Sequence, residues 1–427
     1  NRGFFLCVKC TKEKEEFLRK TEEYSMFFSW LSCYIVISNR ELHVNQKMGG
    51  RNNMKRKVVS VVLALTMVAG MAVGCGSSKP AETTTTDDAA AEETTDAAAE
   101  ETDAADTADA AAEAVDGDLA DKKVGVCIYQ FSDNFMTLFR TELQSYLESK
   151  GFKAENIKIV DGANDQATQS GQIDNFITEG VDVMIVNPVN SSSAATITDK
   201  VVAANIPLVY INREPDAAEE QRWADENMDV TYVGCDARQS GTFQGEIIAD
   251  LGLDAIDLNK NGKVDYIMVE GDPENVDAQY RTEFSVKALE DAGLEVNCLT
   301  DQVGNWQQDQ AQQIVANALG QYGNDVEVVF CNNDAMAMGA LQAIQSAGRT
   351  VGKDIYLVGV DALSEALEAV IAGNLTGTVF NDHFSQSHSA ADAAINYLTG
   401  AGNEHYIGCD YVKVTQDNAQ EVLDMVK

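Results

Sequence analysis

Residues 257–281 read DLNKNGKVDYIMVEGDPENVDAQYR. Their first nine residues alternate oxygen-bearing positions: Asp257, Asn259, Asn261, Lys263 through its backbone carbonyl, and Asp265, with Gly262 sixth. A hard cation takes six to eight oxygens, and alternate residues of a tight loop converge on one point. In a helix-loop-helix calcium site the twelfth position is a bidentate Glu; here it is Met268, inside the apolar run Tyr266–Val269. The loop therefore predicts a Ca2+ site that opens into a buried strand and takes its last carboxylate from elsewhere. The competing reading is an Asx-rich turn leading into a strand. Beyond the strand, Gly271-Asp-Pro273 is a turn, and Asn275, Asp277 and Arg281 follow. A loop at the carboxyl end of a parallel strand is where open α/β sheets bind ligands. Asp277 and Arg281, four apart on one helix face, also fit an ordinary ion pair.

Working outward, residues 121–427 alternate strand and helix patterns, such as Lys123–Tyr129, Phe135–Ser149, Leu208–Ile211, Val326–Cys331 and Ala335–Ala347. Strands spaced by helices form parallel sheets with right-handed crossovers. Two such runs predict an α/β protein of two similar lobes, each a parallel-rich sheet with helices on both faces. The ligand cleft lies between them, and a three-strand hinge falls near Gly234–Asp236, Asn381–His383 and Tyr411–Val414. The lobes are expected as 121–234 plus 383–411, and 235–382 plus 412–427.

Strand exits are dense in Asn, Asp and aromatics: Asp133-Asn-Phe135, Asn212-Arg213-Glu214-Pro215, Asn305-Trp306, Asn332-Asn333-Asp334, Asp361 and Asn381-Asp382. Each Asn or Asp taken singly fits a helix N-cap. The whole set, with Phe135 and Trp306, fits a sugar. Amides and carboxylates bind hydroxyls in bidentate fashion, aromatic faces cover the C–H faces of the ring, and an arginine offsets the carboxylates.

The front of the chain differs. Met54-Lys-Arg-Lys57, the apolar run Val58–Gly74 and Cys75 form an export signal over residues 54–75, and Ala72-Val-Gly-Cys75 resembles a lipobox, making Cys75 a lipidation site. Residues 1–53, with Cys7, Cys10 and Cys33, are expected to be upstream translation outside the natural protein. Residues 76–120 carry fourteen acidic side chains and one lysine, an expected disordered tether. Most of the formal charge of −37 lies in residues 121–427, which excludes nucleic acid or an anionic surface as partner. The five scattered cysteines after Cys75 imply no disulfide framework.

Residues 121–427 closely resemble the periplasmic galactose/glucose-binding proteins of sugar ABC importers, which have the type I periplasmic-binding fold. The resemblance is carried by Asp133-Asn-Phe-Met136, Gln172-Ile-Asp174, Asn332-Asn-Asp-Ala-Met-Ala-Met-Gly-Ala340, Gly359-Val-Asp-Ala362 and Gly377-Thr-Val-Phe-Asn-Asp382. It implies that Phe135 and Trp306 stack on the sugar, and that Asp133, Asn212, Asp277, Arg281, Asn333, Asp361 and Asn381 contact its hydroxyls. Asn275 stands where the enteric galactose/glucose binder has His. It further implies Glu327 as the remote bidentate carboxylate of a structural Ca2+, joining Asp257, Asn259, Asn261, Lys263 and Asp265. The implied partners are galactose or glucose, an ABC permease with its ATPase and, as a further candidate, a chemoreceptor. The implied form is a monomer on the extracytoplasmic face, bound to the membrane through its lipid alone.

Three rivals remain on the sequence: a glycosidase using two of Asp133, Asp277 and Asp361; a sugar-responsive repressor, which needs a DNA-binding helix-turn-helix; and a receptor for xylose, ribose, a furanose or a methyl-galactoside. The Asn-rich surroundings and the arginine argue against the first. The acidic tether and export signal stand where the second needs its DNA-binding element. No catalysis is expected.

Overall fold

The computed structural model describes residues 119–427. The expectations for residues 1–53, the signal at 54–75, Cys75 and the tether as far as residue 118 lie outside the described residues.

The first run is β1 (Val124–Ile128), α1 (Asn134–Ser149), β2 (Ile157–Asp161), α2 (Gln166–Glu179), β3 (Val183–Val186), α3 (Ala194–Ala203), β4 (Leu208–Ile211), α4 (Ala217–Glu226) and β5 (Val230–Cys235). The second is α5 (Ala237–Ala249), α6 (Leu253–Ile256), β6 (Val264–Glu270), α7 (Val276–Asp291), β7 (Val296–Val303), α8 (Gln308–Tyr322), β8 (Val328–Cys331), α9 (Asp334–Ser346), β9 (Tyr356–Val358), α10 (Ser364–Ile371) and β10 (Thr378–Asn381). The chain ends with α11 (His383–Thr399), β11 (Tyr406–Cys409), β12 (Tyr411–Val414) and α12 (Ala419–Val426).

Two parallel sheets result, in the orders β11-β5-β4-β3-β1-β2 and β7-β6-β8-β9. The antiparallel pair β10-β12 joins the second through single bridges, Val358 to Gly377 and Asp361 to Phe380. Alternate residues of a central strand feed opposite cores. In β1, Val124, Val126 and Ile128 pack on one face and Cys127 on the other. In β6, Ile267 and Val269 oppose Val264, Tyr266 and Met268. Helices on both faces therefore account for the continuous apolar runs read as strands. Each sheet begins on an inner strand and grows to both sides, so β1/β3 and β6/β8 mark two switch points whose carboxyl ends open a crevice.

The main chain passes between the lobes at Cys235–Ala237, Asn381–His383 and Cys409–Tyr411. The first two passages fall at the expected hinge strands. The third precedes the expected Tyr411–Val414, because that segment is already paired with β10 of the second sheet. Strand β7 departs from the apolar-run pattern: it is an edge strand whose residues are exposed or half-buried.

Candidate functional site

A cavity of about 330 Å³ lies between the lobes, lined by Tyr129, Asp133, Phe135, Met136, Asn212, Arg213, Asn275, Asp277, Arg281, Trp306, Asn333, Asp361 and Asn381. All ten residues selected from the sequence as sugar contacts meet there. Tyr129, Met136 and Arg213 were not selected, although Arg213 follows Asn212 on the same strand exit. Lined from both lobes, the cavity suits one small molecule rather than a chain.

The residues arrive from strand ends, and helix starts orient several of them. Asp133 caps α1: its Oδ1 accepts from Met136 N at 2.7 Å, while Oδ2 accepts from Tyr129 Oη at 2.7 Å. Asn275 caps α7 and accepts from Asp277 N at 3.0 Å. Asn333 caps α9 and accepts from Met336 N at 3.0 Å. The cap reading and the binding reading thus fall on the same side chains: one oxygen of each holds the helix, and the rest of the group, which in Asp133 also accepts from Tyr129 Oη, lines the cavity. Asn212, Trp306 and Asp361 have φ of +62°, +63° and +118°. Such left-handed conformations in residues with side chains collect at ligand clamps.

The electrostatics follow from burial. Asp277 and Arg281, the pair four apart, are almost fully buried with Oδ2 3.6 Å from Nη2. Arg281 is held by donation from Nη1 to Asn332 O at 2.8 Å and from Nη2 to Tyr411 Oη at 3.1 Å. Burial raises the Asp277 carboxyl above its ordinary range, against the pull of Arg281 and then Arg213. Burial also lifts Asp361 to about 7, opposed by Arg281 and assisted by Asp133; its Oδ1 accepts from Asn381 Nδ2 at 3.2 Å. Asp277 Oδ1, Arg281 Nε, Trp306 Nε1 and Arg213 Nε are buried without a hydrogen-bond partner. A buried polar group left unpaired costs about 1–3 kcal/mol, so the lining is matched to a ligand rich in donors and acceptors.

Two contacts join the rims of the lobes: Arg213 Nη1 to Asp272 Oδ2 at 3.3 Å, and Asn190 Nδ2 to Glu274 Oε2 at 3.4 Å. The Arg213 guanidinium also lies 3.7 Å from the centre of the Tyr129 ring.

The residues expected to hold an ion are brought together at a second place. Asp257 Oδ1 and Oδ2 accept from Asn261 N and Gly262 N at 2.9 Å each. Glu327, fully buried at the start of β8, accepts from Leu258 N and Asn259 N at 2.6 and 3.1 Å on Oε1 and from Asp265 N at 3.0 Å on Oε2. Asp265 accepts from the amides of Asn259, Asn261 and Asn297, each at 2.6 Å. Glu327 thus reaches the loop across 62 residues of sequence. Among the described residues no group of three or more His, Cys, Asp or Glu is arranged to hold a metal; the oxygens of the loop and of Glu327 are engaged by backbone and side-chain amides.

A periplasmic binding protein domain profile matches residues 124–402. The D-galactose/methyl-galactoside binding periplasmic protein of Haemophilus influenzae is 34% identical over 320 residues, covering 71% of this chain and 92% of the relative. A putative rhizopine-binding protein of Rhizobium meliloti is also 34% identical, over 304 residues, 70% of this chain and 91% of that one. The crystal structure of an ABC transporter solute binding protein from Bacillus halodurans, with bound myo-inositol, superposes with a TM-score of 0.63 at 27% identity, covering 72% of this chain and 99% of that one.

Proposed function

The chain belongs to the periplasmic binding protein family, and on that premise we propose that it is the extracytoplasmic receptor of an ABC importer for a monosaccharide, galactose or glucose. One observation carries the reading: three aromatic side chains, three carboxylates, two arginines and four amides, drawn from both lobes, line one small cavity. Phe135 and Trp306 offer apolar faces to a pyranose ring. Asp133, Asp277, Asp361 and the amides of Asn212, Asn275, Asn333 and Asn381 offer donors and acceptors to its hydroxyls, and Arg281 balances the carboxylates. Binding and release follow from rotation of the lobes about the three crossings, as in other hinged binding proteins. The receptor assigns no chemical step to any side chain.

In the same proposal Asp257, Asn259, Asn261, the Lys263 carbonyl, Asp265 and Glu327 hold a structural Ca2+, which would draw the loop and the start of β8 together. Cys75 carries the lipid that keeps the receptor at the membrane beside its permease.

Calorimetric titration of the full chain with galactose, glucose, methyl-galactoside, xylose, ribose and myo-inositol tests the reading. One-to-one binding of galactose or glucose, tighter than the pentoses and the inositol, is expected. Binding of myo-inositol alone would move the assignment to a cyclic polyol.

A further inference from the structure

We propose that Cys235 and Cys409 form a disulfide that ties together two of the three interlobe crossings. Strands β5 and β11 are parallel neighbours, and Cys235 stands directly opposite Cys409 in their register. Adjacent strands lie about 4.7–4.9 Å apart, inside the Cα separation of about 4.4–6.8 Å that a disulfide spans. Residues opposite one another in a ladder point to the same face. Both side chains accordingly pack on the same core, with Ile247, Ile248 and Tyr411. Each cysteine is the last residue of its strand, and each is followed at once by a passage into the second lobe. Both thiols are free in this structure.

The two thiols are unlike. Cys235 is buried, whereas Cys409 is half-buried and opens on a surface hollow lined by Asp236, Arg238, Gln239, Tyr406, Gly408 and Asp410. The Cys235 thiol, donating to Cys409, holds Cys409 below the ordinary thiol range; the same hydrogen bond, with burial, pushes Cys235 well above it. A reachable, more acidic thiol beside a buried, less acidic partner is the arrangement of an attacking and a resolving cysteine. With a disulfide-bearing oxidant, the Cys409 thiolate attacks one oxidant sulfur and releases the other as a thiol. Cys235 then loses its proton, attacks Cys409 Sγ and expels the second oxidant thiol. Two protein thiols lose two hydrogens in all, and one oxidant disulfide becomes two thiols. The bond would fix the spacing of the two strands on which the hinge pivots.

The test uses the full chain, reduced and then exposed to oxidised glutathione, with free thiols alkylated before digestion without reductant. A Cys235–Cys409 cross-linked peptide two hydrogens lighter is expected, with a higher melting temperature that reductant reverses. Cys409→Ser should abolish both effects and Cys298→Ser neither. Alkylation of both Cys235 and Cys409 after oxidation, or a cross-link to another cysteine in their place, would overturn the proposal. If Cys409→Ser does not fold, the alkylation map of the unmutated chain decides. No sugar is needed, so this outcome is independent of the receptor reading.

Discussion

Arg213 of the first lobe reaches Asp272 of the second, Nη1 to Oδ2 at 3.3 Å, with its guanidinium stacked on Tyr129. Arg213 is 1% exposed and Asp272 is 20% exposed, so the pair closes the mouth of the cavity from a largely dry side. Arg213→Met and Asp272→Asn should each speed ligand release more than they slow association, since such pairs act mainly on dissociation. In a double-mutant cycle the two should couple by about 0.5–3 kcal/mol. Stopped-flow measurement of both rates checks this, and additive effects would remove the pair from closure.

Trp306→Ala should weaken ligand binding by roughly 1.5–3 kcal/mol, the range for losing a large buried apolar face. Calorimetry reads it directly.

Gly271→Ala should have a similar effect from beneath. A Cβ at Gly271 would land inside the Trp306 ring, while the Gly271 backbone donates to Asn332 Oδ1 at 2.9 Å. The indole must shift though the strand remains paired. Loss of affinity with a melting temperature near the parent value is the expected result.

Asp361 makes stability depend on pH in a defined direction. Its carboxyl is lifted from the ordinary 3.8 to about 7, so the folded state keeps the proton over a range in which the unfolded chain has lost it. The stabilisation is complete below the ordinary value and is lost as pH rises through about 7. Asp361→Asn should flatten the fall in melting temperature between those limits. Glu214 and Glu220, both raised to about 7 by burial, contribute to the slope that remains, together with the raised carboxyls of Asp277 and Asp334.

Chelation tests the ion loop. EDTA should lower the melting temperature, because an ion bound only to the folded state stabilises it by about 2.7 kcal/mol at one hundred times its Kd. Glu327→Gln should lower the parent melting temperature and remove most of the EDTA effect. Calcium absent from elemental analysis, together with an unchanged melting curve, would reject the site.

The alternation of strands and helices was readable because the central strands are apolar on both faces, as β1 and β6 show. Strand β7 was not, since an edge strand with polar residues lacks that signature. Site residues at strand exits were legible as a set because Asn and Asp accumulate there beyond what capping requires. Arg213 escaped selection because nothing local distinguishes a cleft-spanning arginine from a solvated one. Its partner Asp272 lies 59 residues away and meets it only once two lobes have folded. The third hinge passage was misplaced because pairing of β12 with β10 is likewise a long-range event.

Asp133, Asn275 and Asn333 each anchor the first turn of a helix with one oxygen and face the cavity with what remains. Such groups hold their aim without any ligand, so little ordering remains to be done when one arrives. The same double duty restricts how this receptor could change its preference. Replacing any of the three loosens a helix, a change worth about 0.5–2 kcal/mol, whereas Asn212, Asp277 and Asn381 support no helix end. New ligand tastes should therefore emerge first at those three positions, where no helix end is lost.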